Sequence, residues 1–351
     1  MEKYSKWRDA GTGIQPFLQP VPARTQQGPV AGALRLAARC VVGPLLAAVR
    51  LVALGAVAAA DAAAAGVGAL LVVPVARRAW SVCTRAVLAR VALWVMGFYA
   101  IDAKTVGLQR GRRSGGEAGG GGGGGGAGGP RSGDVIIANH TSYVDVLYLV
   151  ARYDPVFVEI DNASARVRRI SAWAALRAPA RRTPALLPAR EARPLRDVTE
   201  EARLRRLGPV VVFPENATSN GRALLQFLPV LEPAENQDEK SALHIVALKY
   251  PFRSFSPAYS VGSQLAHLLR LCAQPYSSLT VRALDPAEAP RIADSAAFCD
   301  AGAEPVDLDA AVRDKMVQLS RLRMTRLSAM DKRDFLAFYH ERARGYRQPA
   351  A

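Results

Sequence analysis

The sequence predicts an α/β fold, a mixed sheet flanked by helices, preceded by a hydrophobic membrane-anchoring helical region and followed by a helical tail. Three observations carry this. Between residues 134 and 285, short apolar runs alternate with helical stretches, the pattern of a layered α/β domain. Ahead of that domain, the run from Leu51 to Ala76 is apolar except for Asp61, long enough to cross a bilayer core of roughly 30 Å. Beyond Asp307, the residues Val312, Met316, Leu319 and Leu322 recur at helical spacing.

Residues 1–30 form a leader with no apolar core, which argues against a cleaved signal peptide. Residues 31–100 form the expected anchor and interfacial helix. Counted from Cys40 the apolar run is too long for one untilted span, and Arg50 and Asp61 interrupt it. It reads as one span or a re-entrant hairpin; an Ala-rich core helix of a soluble domain is the bland alternative. Arg77, Arg78, Arg85 and Arg90 follow, and by the positive-inside tendency they put the downstream domain in the cytosol. The stretch "VLARVALWVMGFYA", with Trp94, Phe98 and Tyr99, suits an interfacial helix.

The domain proper spans 101–285, with a glycine-rich insert at 111–133 that cannot pack a core. Two short strands, near 101–108 and 134–138, flank it and read as a hairpin with an overgrown loop. Such lengthening costs only about 0.6 kcal/mol per doubling. "DVIIA", "DPVFVEI", "PVVVF", "HIVALKY" and "SSLTVRAL" read as strands; "VDVLYLVARY", "VRRISAWAALRAP" and "LRDVTEEARLRRL" read as helices, as does "ALLQF". Residues 286–351 form a tail of one or two amphipathic helices.

A formal charge of +16 calls for an anionic partner, nucleic acid or a membrane surface. From Ser164 to Arg206, twelve arginines face four acids. This is a solvated face, or a lipid-attracting one at about 1 kcal/mol per arginine. No recognised module or interleaved aromatics support nucleic acid. Cys40, Cys83, Cys272 and Cys299 have no zinc spacing and read as reduced thiols on the cytosolic side. His244, His267 and His340 also lack metal spacing and read as structural or surface residues; no metal is expected.

Two stretches carry chemistry. In "NHTSYVDVLYL", His140 follows an apolar strand and Asp145 lies five residues on. Ser142-x-x-Asp145 is a capping-box pattern with Asp for Glu, which accounts for Asp145 but not for His140. At a strand-to-helix turn an imidazole could take a proton from a substrate hydroxyl, with a carboxylate fixing its tautomer. In "GPVVVFPENATSNGRALLQF", Pro214 breaks a strand, Glu215 follows, and a polar turn comes next. Backbone N–H groups with Ser219, Asn220 and Arg222 could hold a phosphate; a plain turn is the alternative. Asn139, Asn162 and Asn216 each begin a glycosylation sequon, relevant only on a lumenal face.

"NHTSYVD" and "VVFPENATSNG", about 75 residues apart, resemble in order the first and third motifs of the glycerolipid acyltransferases, the 1-acylglycerol-3-phosphate acyltransferase family. "HIVALKY" resembles the fourth. The leader and "TSNGRALL" look like the fungal lysophosphatidic acid acyltransferases of endoplasmic reticulum and lipid droplets. The resemblance covers roughly 134–260 plus the leader. It implies acyl transfer from acyl-CoA, as co-substrate, to lysophosphatidic acid, with no cofactor. It implies His140 as general base, Asp145 as its orienter, and Glu215, Thr218, Ser219, Asn220 and Arg222 around the glycerol phosphate. Another lysophospholipid or glycerol 3-phosphate remains open as acceptor, and a non-catalytic protein binding anionic membranes is the rival. Asn216 replaces the family's glycine, Thr218 stands where many relatives have arginine, and the fourth motif lacks its proline. The second motif is unclear; Arg190 is the candidate.

Overall fold

The computed structural model describes residues 4–22, 29–108, 129–181, 188, 191–231, 233–295 and 306–345. Arg190, Cys299 and most of the glycine-rich insert lie outside them.

The chain opens with a leader ending in two helices, α1 (Pro29–Leu70) and α2 (Pro74–Val95). Pro74 begins α2, a position that costs no intrahelical hydrogen bond. The part of α1 from Cys40 to Leu70 is long and apolar enough to cross a membrane. Its polar residues are nonetheless spoken for. Arg50 is buried; its guanidinium donates to the carbonyls of Cys272, Gln274 and Pro275 and to Tyr99. The Trp173 indole donates to Asp61 Oδ2 at 3.1 Å. One face of α1 therefore lies on the domain, while Val41, Leu45, Val49 and Val52 face outward. The arginines of α2 also turn to the domain: Arg78 sits 2.7 Å and Arg85 3.4 Å from the Asp154 carboxylate.

The elements that follow are β1 (Ile101–Val106), β2 (Val135–Ala138), α3 (Tyr143–Tyr153), β3 (Val156–Ile160), β4 (Val167–Ile170), α4 (Ala172–Arg177) and α5 (Leu195–Leu204). Next come β5 (Val210–Val212), β6 (Ala223–Leu224), β7 (Leu243–Lys249), α6 (Gln264–Cys272), β8 (Leu279–Leu284), α7 (Leu308–Ser320), β9 (Arg323–Met324) and α8 (Ala329–Gly345). Seven strands form one mixed sheet in the order β1-β8-β7-β2-β5-β3-β4. β7, β2, β5 and β3 are mutually parallel; β4 and β8 run against their inner neighbours.

Alternation along each strand sorts side chains to two faces. Ile136, Ala138, Phe157 and Val246 pack with α2, α3 and α6. Val135, Ile137, Val158 and Ile245 pack with α5 and α7. The result is three layers. A smaller core joins the leader to α8: Trp7 and Phe17 against Phe335 and Leu336. Gly208, just before β5, is required by closeness alone, since a Cβ there would meet Asp154 O at 2.2 Å.

Three sequence expectations need correction. β1 and β2 are not a hairpin. β2 is buried along its whole length and takes two partners, β7 and β5, whereas β1 is partly exposed and, among the described residues, pairs only with β8, in parallel. Residues Val167–Ile170 are strand, not the first turn of a helix. Arg168 sits opposite Glu159 in the β3–β4 register and bonds it at 2.9 Å; the helix starts only after Ser171, which caps it. The "ALLQF" segment is extended: β6 pairs with β9, and the Leu225 N–H that a helix would use is taken by Glu215.

Candidate active site

Three parallel strands at the centre of the sheet end side by side. β2 leads into Asn139 and His140, β5 into Phe213, Pro214 and Glu215, and β7 into Tyr250. Ligands of open α/β sheets bind off such carboxyl ends. Asn139 clamps the edge: its Nδ2 donates to Leu248 O at 3.0 Å and its Oδ1 accepts from Leu248 N–H at 2.7 Å. That sequon asparagine is fully buried.

Asp145 is a helix cap and the partner of the histidine at once. Its Oδ2 accepts from the N–H of Thr141 at 2.7 Å and of Ser142 at 2.8 Å, and lies 3.1 Å from His140 Nδ1. Ser142 Oγ accepts from Val144 N–H at 3.3 Å, completing the capping box. A carboxylate only accepts, so in the neutral ring Nδ1 carries the proton and Nε2 the lone pair. Nε2 has no hydrogen bond among the described residues. The imidazole stacks on Phe213, with centroids 4.2 Å apart.

Tyr250 donates to Asp145 Oδ1 at 2.5 Å. Burial first, and the Asp145 charge second, hold its phenol well above the usual range, so it stays a donor. With both oxygens engaged, the carboxylate cannot rotate away from His140.

Glu215 is fully buried and spends both oxygens on backbone. Oε1 accepts from His140 N–H at 2.9 Å and Oε2 from Leu225 N–H at 2.8 Å. Burial pushes its carboxyl up to about 8. Ser219 N–H donates back to His140 O at 3.0 Å. The histidine backbone is thus pinned on both sides by the Pro-Glu turn. Asn216 adopts φ 44°, a left-handed conformation that Asn tolerates far better than branched residues. Its amide donates to Ile160 O at 3.0 Å and Asn162 Oδ1 at 2.9 Å.

The rest of the turn looks elsewhere. Asn220 donates from its N–H to Pro16 O at 2.8 Å and from Nδ2 to Gln15 O and Leu18 O; Arg222 donates to Val21 O at 3.2 Å. These two residues hold the leader. Thr218 instead meets α8: Lys332 Nζ donates to Thr218 O at 2.6 Å and to Thr218 Oγ1 at 2.5 Å. Lys332 is buried, and burial pulls its ammonium down to about 7.

The pocket so formed has a volume of about 90 Å³ and is lined by His140, Phe213, Thr218, Arg181, Lys332 and Arg333, among others. A second cleft of about 1440 Å³ runs between α1–α2 and α3, α4 and α6, with Leu54, Trp80, Leu147, Trp173 and Leu268 in its walls. Of the twelve arginines between Ser164 and Arg206, ten lie among the described residues, and seven of these are in ion pairs: 166, 168, 169, 181, 193, 203 and 205. No group of three metal-ligating residues occurs among the described residues.

Two residues of the site escape sequence reasoning. Tyr250 closes the strand "HIVALKY", but only knowing that β7 lies beside β2 would point it at Asp145. Lys332 had a fainter signal: it stands among Ala329, Phe335, Leu336 and Tyr339, in the apolar stripe of a helix where a lysine is out of place.

A mixed sheet bearing a strand-end His–Asp pair beside a Pro-Glu turn fits the ordered motifs noted above. No family model matches this chain. A curated protein of Schizosaccharomyces pombe, named "Putative lysophosphatidic acid:oleoyl-CoA acyltransferase", is 36% identical over 118 residues, 32% of this chain and 37% of that protein. The chain thus spans little more than a third of the curated relative it matches. Among solved structures, the 1-acyl-sn-glycerophosphate (LPA) acyltransferase PlsC of Thermotoga maritima aligns over 80% of this chain and 97% of its own, with TM-score 0.41 and 14% identity.

Proposed function

We propose that the protein transfers an acyl chain from acyl-CoA to the free hydroxyl of lysophosphatidic acid, forming phosphatidic acid. One observation carries the reading: His140, its Nδ1 held 3.1 Å from Asp145, presents an uncommitted Nε2 in a pocket whose mainly apolar walls also carry Thr218, Arg181, Lys332 and Arg333. In this reading Nε2 accepts the proton of the glycerol hydroxyl as its oxygen attacks the thioester carbonyl. The C–O bond forms, the C–S bond breaks, and the imidazolium returns the proton to the departing thiolate. A thioester is already activated, so positioning and a base suffice, without a covalent enzyme intermediate. Asp145 and Tyr250 hold the tautomer. Glu215 acts through the His140 backbone as a positioning residue. Thr218 lines the pocket at the glycerol phosphate end, the fully buried Ser219 acts through its N–H on His140 O, and Asn220 and Arg222 serve the site indirectly by seating the leader.

The outward apolar face of α1 suits attachment to an endoplasmic reticulum or lipid-droplet surface, with the sheet on the cytosolic side. The test is His140→Ala with the anchor intact, assayed with labelled acyl-CoA. Transfer should fall by about 10²–10⁴-fold, the usual contribution of a general base, with thermal stability little changed. Transfer near the wild-type rate would remove His140 from the mechanism.

A further inference from the structure

We infer that Lys332, from the C-terminal helix α8, is the cation that receives the phosphate of the acceptor. This rests on the acyl-transfer reading above. An ammonium has three N–H donors. Two are used, on Thr218 O at 2.6 Å and on Thr218 Oγ1 at 2.5 Å. Among the described residues the third meets no acceptor, and no carboxylate lies within ion-pair distance of this lysine. Yet the side chain is only 5% exposed and lines the same pocket as His140. A buried charge without a counterion is costly, which is why burial pulls the ammonium down to about 7; an arriving anion would restore its full charge, so the position makes physical sense where one binds.

The surroundings agree. Arg181 and Arg333 line the same pocket, each already shared with an acid, Glu159 and Asp334. Accepting from Nζ leaves the Thr218 hydroxyl its own hydrogen to donate. A phosphomonoester, about −1.5 to −2 at neutral pH with three acceptor oxygens, would use all of these. The pocket, at about 90 Å³, has room for such a group. The lysine is also well placed mechanically. It lies in the first turns of α8, whose start is capped by Ser328 and Asp331, with Ser328 N–H 2.7 Å from Asp331 Oδ2. Glu215 lies near enough to act on the ammonium through space without touching it.

The experiment is Lys332→Met in the full-length membrane-bound protein, with KM measured separately for lysophosphatidate and acyl-CoA. The expected result is a rise in KM for lysophosphatidate of about 10–100-fold, as for a lost charge-assisted hydrogen bond. KM for acyl-CoA and kcat should be nearly unchanged, and a phosphate-free monoacylglycerol acceptor should be used equally by both proteins. An unchanged KM for lysophosphatidate overturns the inference. So does a rise confined to acyl-CoA, which would place the phosphates of CoA there, or a fall in kcat alone, which would place the ammonium on the reacting carbonyl.

Should Lys332→Met fail to fold, the wild type and Arg333→Ala are compared by melting temperature with and without glycerol 3-phosphate. The wild type should shift upward and Arg333→Ala less so; no shift in an active wild type overturns the inference. A wild type inactive on every lysolipid sinks the acyl-transfer reading itself, a different failure from any of these.

Discussion

The pocket and the residues behind it form two halves built in different ways. The strand-end half holds His140, Asp145, Glu215 and Tyr250. Nearly all its positioning comes from hydrogen bonds to backbone at the ends of β2, β5 and β7. The terminal half holds Thr218, Lys332 and Arg333. It is kept in place by aromatic packing between the leader and α8: Trp7 and Phe335 lie 5.4 Å apart, Phe17 and Phe335 5.5 Å, and Trp7 and Phe338 5.0 Å. Hydrogen bonds fix angles and tautomers, which a proton transfer needs. Apolar packing fixes a helix as a body, which suffices to deliver one charge. The contrast teaches that the tail lines the pocket while the leader packs behind it, and that the two halves should fail differently.

The largest effect should come from Asp145→Asn in the strand-end half. By analogy with tautomer loss in catalytic triads, kcat should drop about 10³–10⁴-fold. An amide cannot accept from Nδ1, Ser142 and Tyr250 as the carboxylate does, so stability should also fall by about 1 kcal/mol from the weakened cap. Single-turnover acyl transfer and thermal melts separate the two. Full activity would break the comparison, leaving Asp145 as a cap alone.

In the terminal half, Phe17→Ala removes a fully buried ring from the leader–α8 core. Stability of that unit should fall by about 3–5 kcal/mol. The loss in activity should appear in the KM for lysophosphatidate, because His140 is untouched. A loss confined to kcat would show that the halves are not separable.

Acid offers a third test. His267 braces the loop that meets Thr141 and Ser142: its Nε2 lies 3.2 Å from Ser256 O and Ala258 O, and its Nδ1 lies 3.1 Å from the Tyr143 hydroxyl. Burial holds its imidazole down to about 4, against an ordinary 6.5. Between those values the unfolded chain binds more protons than the folded one, so stability is complete above pH 6.5 and is lost as pH falls towards 4. The loss should approach about 3 kcal/mol. His267→Gln should flatten that acid slope in melts from pH 4 to 7, and an unchanged slope would assign it to other groups.

The smallest effect belongs to Asn216. A branched residue is strained at φ 44°, so Asn216→Val should cost about 1–3 kcal/mol. Asn216→Gly should be milder, because the conformation suits glycine although the amide bonds to Ile160 and Asn162 are lost. Equal melting temperatures for the two variants would show that the turn relaxes.

Legibility differed between the halves for a physical reason. The His140–Asp145 spacing and its capping box involve residues within one helical turn, so the pattern was visible in the letters. The bend at Pro214-Glu215 was visible too, but the direction of Glu215 was not. It points inward to backbone, because β5 lies beside β2. The hairpin expected across the glycine tract failed for the same reason: which strands pair is set by burial on both faces, not by adjacency. The extended course of Ala223–Leu224 was hidden because a carboxylate ten residues earlier claims the Leu225 N–H.

By itself, then, the sequence determined the α/β class, most of the strand and helix segments, the long apolar helix and the His–Asp motif, since periodicity and capping act over a few residues. Tertiary structure alone decided what surrounds the imidazole. The contacts of Glu215 with His140, Tyr250 with Asp145 and Lys332 with Thr218 span 75, 105 and 114 residues. Strand order and the docking of the chain ends bring them together. The cost of burying a lysine without a counterion, which marks Lys332, exists only once the chain has folded around it.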